Sequence, residues 1–202
     1  MATLAFVRPA PPLGKLVKET ALMPHDSMPH DTMRPETFSH ALLDTPVGAL
    51  RLVVGARGVR AVLWPGDDDH RVAIGDTSGG GPDADRVLGE AVRQLQEYFA
   101  GNRRDFDLPL DPVGTEFQQQ VWHVLRTIPY GETISYGEQA RRLGDVNKSR
   151  AVGAANGRNP ISIIVPCHRV VGSTGKLTGF AGGLDTKAWL LQHERGAAQL
   201  PL

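Results

Sequence analysis

The stretch SYGEQARRLGDVNKSRAVGAANG, Ser135–Gly157, decides the fold. Ser135-x-x-Glu138 is a capping box, in which a hydroxyl and a carboxylate three residues on satisfy each other's backbone donors and start a helix. That helix is expected to stop at Leu143-Gly144, where glycine takes the left-handed position that other residues resist. A second helix starts near Asn147 and ends at Asn156-Gly157, and Pro160 bars its continuation. Two short helices joined by a tight, glycine-containing connection and followed by an extended segment predict a winged helix-turn-helix.

Upstream, Thr115-x-x-Gln118 is another capping box. It opens a helix whose inner face is Phe117, Val121, Leu125 and Ile128 and which stops at Pro129-Tyr130-Gly131. Earlier still, Leu50, Leu52 and Val54 alternate, Ala56-Arg57-Gly58 supplies a turn, and VRAVLW returns as a hairpin partner. An acidic, glycine-rich loop follows from Gly66 to about Pro82. Ala84, Val87, Leu88, Ala91, Val92, Leu95, Tyr98 and Phe99 then form a helical stripe closed by Gly101-Asn102. Downstream come an apolar strand ending in VPCHRVV, a glycine-rich loop over Gly172–Gly183, and a last helix from about Asp185 to Gly196.

The expected class is α+β. A small N-terminal α/β domain over 39–112, a short antiparallel sheet plus a helix, precedes a C-terminal winged helix-turn-helix-like domain over 113–197 and a tail over 198–202. Residues 1–38 are rich in Pro, Met and His, with the near-repeat MPHDSMPHDTM and no periodicity, and are expected to be a disordered leader. Met23, Met28 and Met33 are alternative starts. His25 and His30 do not make a metal site in such a segment.

One cysteine in 202 residues excludes a disulfide framework and a cysteine-rich zinc site, and it fits a reducing cytoplasm. No apolar run has the length of a membrane span, and the N-terminus lacks the continuous apolar core of a signal peptide. The zero net charge hides an asymmetry: 12 Lys and Arg stand against 16 Asp and Glu before Gly114, and 10 against 6 from there on. A basic half in a neutral chain suits a polyanion, although unequal solvated faces give the same count.

Three features break local rules. The helix NKSRAVGAANG carries almost nothing but small side chains, and an internal glycine costs about 1 kcal/mol relative to alanine. Close packing on another helix is the plain explanation; a surface shaped for the minor groove is the functional one. Arg150 puts a cation in a helix's first turn, against the dipole, which phosphates gathered there would reverse. Glu194 is the mirror case, an anion in the last turn of the final helix, with His168 as a candidate partner.

Cys167 lies between Pro166 and His168-Arg169. A lone cysteine in an apolar run is usually an inert core residue. Here the proline ends a sheet ladder and permits a turn, so that Cys167 and His168 need not point to opposite faces. A base and a cation beside a thiol are what a thiolate nucleophile requires.

Pro166-Cys167-His168-Arg169-Val170 resembles the signature of the O6-alkylguanine-DNA alkyltransferases, or methylated-DNA–protein-cysteine methyltransferases. The resemblance extends through Ile134-Ser135-Tyr136, Ser149–Gly153, Asn159-Pro160, Gly182-Gly183-Leu184 and Trp189-Leu190-Leu191-x-His193-Glu194, with matching spacings from about Thr115 to Gly196. It implies that Cys167 takes an alkyl group from O6 of guanine and keeps it as a thioether, one transfer per molecule. His168 would draw the thiol proton through a water, with Glu194 orienting it. Asn159 would brace the active-site turn, and Tyr136 would donate to the departing guanine. The main chain at Cys167 and Val170 would meet the guanine amino group, the amide of Ala181 would face O6, and the Phe180 ring and Asn156 would complete the substrate pocket. Arg150 would fill the gap left by the flipped nucleotide, with Ala151 and Gly153 on the helix in the minor groove and Gly137, Asp145 and Ser173 near DNA. Two departures stand out: Phe180 is often tyrosine in the family, and Asn156 sits where an apolar residue occurs.

The resemblance implies no cofactor and no metal, duplex alkylated DNA as partner, a monomer with no obligate protein partner, and a cytoplasmic location. Adduct size, O4-alkylthymine and cooperative assembly on DNA are left open. Three other readings are weaker. A non-catalytic alkyltransferase-like damage sensor replaces the nucleophile, which is retained here. A cysteine hydrolase would need an acyl site and an oxyanion hole, and a plain winged-helix regulator would have no use for Cys167.

Overall fold

The computed structural model describes residues 36–67, 72, 74 and 76–198. The expected leader thus lies mostly outside the described residues, but its last three, 36–38, are structured. Phe38 is buried and its amide donates to the Asp76 carbonyl at 2.8 Å.

Strands β1 (Ser39–Leu43), β2 (Leu50–Gly55) and β3 (Gly58–Leu63) form an antiparallel sheet in the order β1-β2-β3, with an irregularity between Val53 and Val54. The β2–β3 hairpin turns at Ala56-Arg57 as expected; β1, whose SHALL lacks a run of β-branched residues, has no such signal in the sequence. One face of the sheet receives α1 (Pro82–Phe99), whose stripe Ala84, Val87, Ala91, Leu95 and Tyr98 is buried. The other face is covered by Phe38 and Val72 against Val53, Ala61 and Leu63. Every residue of β3 is therefore buried.

Helix α2 (Glu116–Leu125) begins with a complete capping box: Thr115 Oγ1 accepts from Gln118 N, and Gln118 Oε1 from Thr115 N. After β4 (Ile134–Ser135), α3 (Tyr136–Arg142) has only half of one. Ser135 Oγ accepts from Glu138 N at 3.0 Å, while the Glu138 carboxylate pairs with Arg141 and Arg142 instead. A 3₁₀ turn at Val146–Lys148 leads into α4 (Ser149–Gly157), so the helix pair falls where the sequence places it. Trp122 Nε1 donates to the Ala155 carbonyl at 2.9 Å and fixes α4 on α2.

The segment before the cysteine differs from expectation. Ile161–Val165 makes turns and isolated bridges rather than a strand, Cys167–Arg169 is a 3₁₀ turn, and β5 is only Val170–Val171. Pro160 and Pro166 bracket too few residues for a ladder, and local bonds such as Val165 N to Ile161 O take its place. The chain closes with α5 (Leu184–Ala198).

A single core joins both halves, from Leu50 and Leu52 through Trp122 and Ile161 to Leu190. At the seam, β3 pairs with neighbouring segments: Val62 N donates to Pro160 O at 2.9 Å and Val59 N to Pro109 O at 2.8 Å. Gly58 is where that approach is closest, since it has φ of 134° and a side chain there would meet the Pro109 carbonyl oxygen at 2.3 Å. Gly58→Ala combines a disfavoured backbone angle with a clash against main chain. It is expected to lower unfolding free energy by about 3 kcal/mol, read from a urea titration.

Candidate active site

The turn that carries Cys167 is held on three sides. Asn159 Nδ2 donates to the Val165 carbonyl at 2.8 Å, and its Oδ1 accepts from Ile161 N at 3.1 Å. Inside that loop Ile163 has φ of 74°, a costly angle for a β-branched residue, held by the burial of its side chain and by the next amide, Ile164 N, donating to Ser162 O at 3.0 Å. Beyond the turn, β5 pairs in parallel with β4, Val170 opposite Ile134 and Val171 opposite Ser135. This two-residue pairing sets Tyr136, the first residue of α3, beside the cysteine.

Because Cys167 and His168 share a 3₁₀ turn, they are not forced to opposite sides of a sheet. Cys167 is 7% exposed and His168 fully buried. His168 Nε2 lies 2.8 Å from Glu194 Oε1. The same carboxylate accepts from Arg169 Nε at 2.9 Å, Arg169 Nη2 at 3.0 Å, Gly131 N at 3.0 Å and Tyr98 Oη at 2.9 Å. Burial opposes ionisation of Glu194, but the hydrogen bonds from His168 and Arg169 and the charge of Arg169 outweigh it and hold the carboxyl far below the usual range. Burial also pushes His168 below its ordinary value, against the pull of Glu194 and with help from Arg169 and Lys187. The result is an ionised Glu194, a charge-balancing Arg169 and a neutral imidazole. An ionised carboxylate only accepts, so Nε2 carries the ring hydrogen. His168 Nδ1 is buried without a hydrogen-bond partner among the described residues, and its lone pair is the site's basic nitrogen.

Arg169, expected to lend charge to the thiol, is instead committed to Glu194 and to the Ile128 carbonyl at 2.6 Å. A cation whose charge bears on Cys167 is Lys187, which sequence reasoning missed. It is fully buried, its Nζ donates to Thr178 O at 2.8 Å and lies 5.9 Å from the Tyr136 ring centre, and it interacts electrostatically with Cys167. Its signal is periodic: Lys187, Leu190, Leu191 and Glu194 form one buried face of α5, and a lysine on that face is as anomalous as the glutamate.

The Tyr136 hydroxyl donates to the same Thr178 carbonyl at 3.2 Å, and Gly153 of α4 lies against its ring. Tyr136, Ser149, Arg150, Gly153, Thr178 and Gly179 line a cleft of about 350 Å³; Arg150 and its neighbour Ala151 are exposed. Phe180 is half-buried, edge-on to His168 at 6.4 Å and to Trp64 at 5.3 Å. Trp64, another missed residue, seats the glycine-rich loop; a side chain at Gly182 would meet its indole at 2.6 Å. Val170 is buried beneath the turn, Gly137 is half-buried at the start of α3, and Ala181 and Ser173 are exposed on the loop.

Two expected site residues sit differently. Asn156 does not line the cleft: its amide is exchanged with Gln139 between α3 and α4, Nδ2 donating at 2.8 Å and Oδ1 accepting at 3.2 Å. The Asp145 side chain caps the 3₁₀ turn by accepting from Asn147 N at 3.0 Å, a local reason for a carboxylate there. No group of His, Cys, Asp and Glu among the described residues is arranged to hold a metal, and no described helix is long and apolar enough to cross a membrane.

Residues 39–112 match the ribonuclease-like domain of 6-O-methylguanine DNA methyltransferase, and residues 116–196 match the DNA-binding domain of the same family. The chain belongs to that family. Among its relatives, the methylated-DNA–protein-cysteine methyltransferase of Methanosarcina acetivorans is 46% identical over 155 residues, 77% of this chain and 97% of the relative. That of Mycolicibacterium paratuberculosis is 49% identical over 153 residues, 76% of this chain and 90% of its own. The crystal structure of Mycobacterium tuberculosis O6-methylguanine methyltransferase superposes with a TM-score of 0.70 at 43% identity, covering 81% of this chain and 96% of that one. A structure of the M. tuberculosis protein in complex with DNA gives 0.68 at 43% identity, over 80% of this chain and 94% of the other.

The charge state of the site sets how stability responds to acid. His168 and Glu194 both have depressed values in the folded protein, so the unfolded chain takes up protons first and acid favours unfolding. Unfolding free energy is expected to decline as pH falls below His168's ordinary value of 6.5, and again below Glu194's ordinary 4.5. The slope is at most about 1.4 kcal/mol per pH unit for each group. Urea titrations between pH 7.5 and 5 measure the first limb, which His168→Gln should flatten.

Proposed function

We propose that this protein is a single-turnover DNA repair methyltransferase. It binds duplex DNA through the minor groove, turns an O6-alkylguanine out of the stack and moves the alkyl group irreversibly to Cys167. Supporting this reading above all is a lone thiol beside a buried histidine whose other nitrogen is held by an ionised Glu194, in a chain of this family. The thiol proton goes to His168 Nδ1, by way of a water in the family's scheme. The sulfur attacks the alkyl carbon from behind; the C–S bond forms as the C–O6 bond breaks, and the electron pair leaves with guanine. Tyr136 donates to the departing purine, because a guanine anion is a poor leaving group. Lys187 supports the developing thiolate, a buried cation acting in a low dielectric.

The 7% exposure of Cys167 agrees with flipping, because a base stacked in a duplex cannot reach a sulfur so recessed. The cleft lined by Tyr136, Arg150 and Gly153 receives the base, and Phe180 and Ala181 close over it. Arg150 takes the vacated place in the stack. The small residues of α4, with Gly137 and Ser173 nearby, let the minor groove approach. In this scheme 39–112 is the supporting half and 113–197 the DNA-binding and transfer half. The partner is alkylated duplex DNA, the protein acts as a monomer in the cytoplasm, and no cofactor takes part.

The chain is to be incubated with a duplex carrying labelled O6-methylguanine and then analysed by peptide mass spectrometry. One methyl group per protein is expected, on the peptide containing Cys167 and never exceeding unit stoichiometry. Cys167→Ala should bind the duplex normally and transfer nothing; transfer by that variant would end the assignment.

Arg150→Ala separates stacking from phosphate contact. Single-turnover transfer should fall at least about tenfold, the few kcal/mol of an unfilled stack. The salt dependence of binding should change by less than one phosphate equivalent.

A further inference from the structure

The geometry points to Tyr98, on α1 of the N-terminal half, as a positioning residue for the transfer reaction: its hydroxyl completes the set of donors that fixes Glu194 against His168. The inference rests on the function proposed above. Tyr98 is fully buried and its Oη lies 2.9 Å from Glu194 Oε1, the oxygen that His168 Nε2 approaches at 2.8 Å. Ninety-six residues separate tyrosine from glutamate. A second bond clamps the same two helices, His193 Nε2 lying 2.7 Å from the Tyr98 carbonyl oxygen. The ring is set by edge or tilted contacts with Phe99, Phe106, Tyr130 and His193, at 5.2 to 6.1 Å between centres. Burial and the charge of Glu194 push the phenol well above its ordinary value, so it remains a donor wherever transfer can be assayed.

A hydrogen bond from Tyr98 draws charge from Oε1 and weakens that oxygen's hold on a proton at His168. The other charged or titratable groups facing the imidazole are Arg169 on its own turn, Lys187 on α5 and Cys167, with Tyr130 facing Glu194 and Arg169 from behind. None of these is supplied by 39–112, whose Arg104 lies over the Tyr130 ring at 5.7 Å; among the described residues of that segment, Tyr98 is the one hydrogen-bonded to Glu194. The N-terminal half therefore tunes the base as well as supporting the fold. Apolar helix periodicity alone explains Tyr98 as a core residue, but not a phenol aimed at a carboxylate.

The test is the pH profile of Tyr98→Phe, which keeps the ring and removes only the donor. Two rates are to be followed on the full chain from pH 5 to 9: methyl transfer from an O6-methylguanine duplex, and alkylation of its single thiol by iodoacetamide. Without the donor the imidazole holds its proton more tightly. The acid limb of both profiles is expected to move up by about half a pH unit or more, for a bond to a charged group. Well below the midpoint of the acid limb the rates fall at least about threefold; at pH 8.5 they stay within about twofold. In a Glu194→Gln background, Tyr98→Phe should no longer change either profile. An unmoved limb, or an equal loss at every pH, overturns the inference. If the wild-type chain transfers no methyl group, the repair function fails, while the iodoacetamide profiles still decide the role of Tyr98. If Tyr98→Phe does not fold, 3-fluorotyrosine at position 98, a stronger donor, must shift the limb downward; no shift overturns the inference equally.

Discussion

Glu194 has no exposed surface and accepts five hydrogen bonds from four residues, Tyr98, Gly131, His168 and Arg169, and the arrangement of the whole chain depends on this buried carboxylate. Removing a partner from a buried ion pair typically costs 3–5 kcal/mol, so each segment that brings a donor is held in register with the others. α1, the connection after α2, the cysteine turn and α5 meet at this one group, and none of the four is optional. From the sequence this anion is expected in the last turn of the final helix; α5 runs on to Ala198 and places Glu194 just before that turn, so its partners rather than the helix end account for it.

Charge balance makes the arrangement chemically useful. A glutamate facing only a histidine would pull a proton onto the ring and leave no base. Arg169 takes up the glutamate's charge through two hydrogen bonds, and the imidazole stays neutral in the buried site with Nδ1 available. On the sulfur side the geometry is set separately. The β4–β5 pairing brings Tyr136 alongside the cysteine turn, and Thr178 offers one carbonyl to both Tyr136 and Lys187. A carbonyl with two donors can release one and remain bonded. In the proposed reaction Tyr136 turns to the purine while Lys187 holds the loop.

Some of this is legible in the sequence, and the rest is hidden for physical reasons. Both capping patterns mark real helix starts because their signal is local, contained in four residues. The α1 stripe and the β2–β3 hairpin are likewise readable from period and turn chemistry. The segment before Cys167 reads as a strand because β-branched composition resembles one, and only the paired prolines and the positive φ at Ile163 reveal a turn. Cys167, His168 and Glu194 stand out through motif and anomaly. Tyr98 does not, since it fits the apolar stripe of α1 and a contact across 96 residues leaves no local trace; Trp64 follows β3 with no periodicity of its own, and Lys187 shows only as a charge on the buried face of α5. Asn156 shows the converse error. A polar residue at a position associated with base packing points to the pocket, when its amide partner Gln139 lies one helix away.

The same charge inventory bears on why the proposed reaction stops after one cycle. Before transfer, moving a proton from Cys167 to His168 leaves the net charge of the buried cluster unchanged but creates a thiolate–imidazolium pair, whose desolvation cost Lys187 offsets on the sulfur side and Glu194 on the imidazole side. After transfer the sulfur is a neutral thioether. Breaking the new C–S bond would require a nucleophile stronger than the thiolate that must leave, and the chain contains no second thiol. A metal or an activated water could in principle hydrolyse an ester, but a thioether carbon offers no carbonyl to polarise. The recessed position of the sulfur also hinders the approach of an external thiol afterward. Permanence of the product therefore follows from the burial and single nucleophile that make the attack selective, and no separate device is needed to prevent turnover.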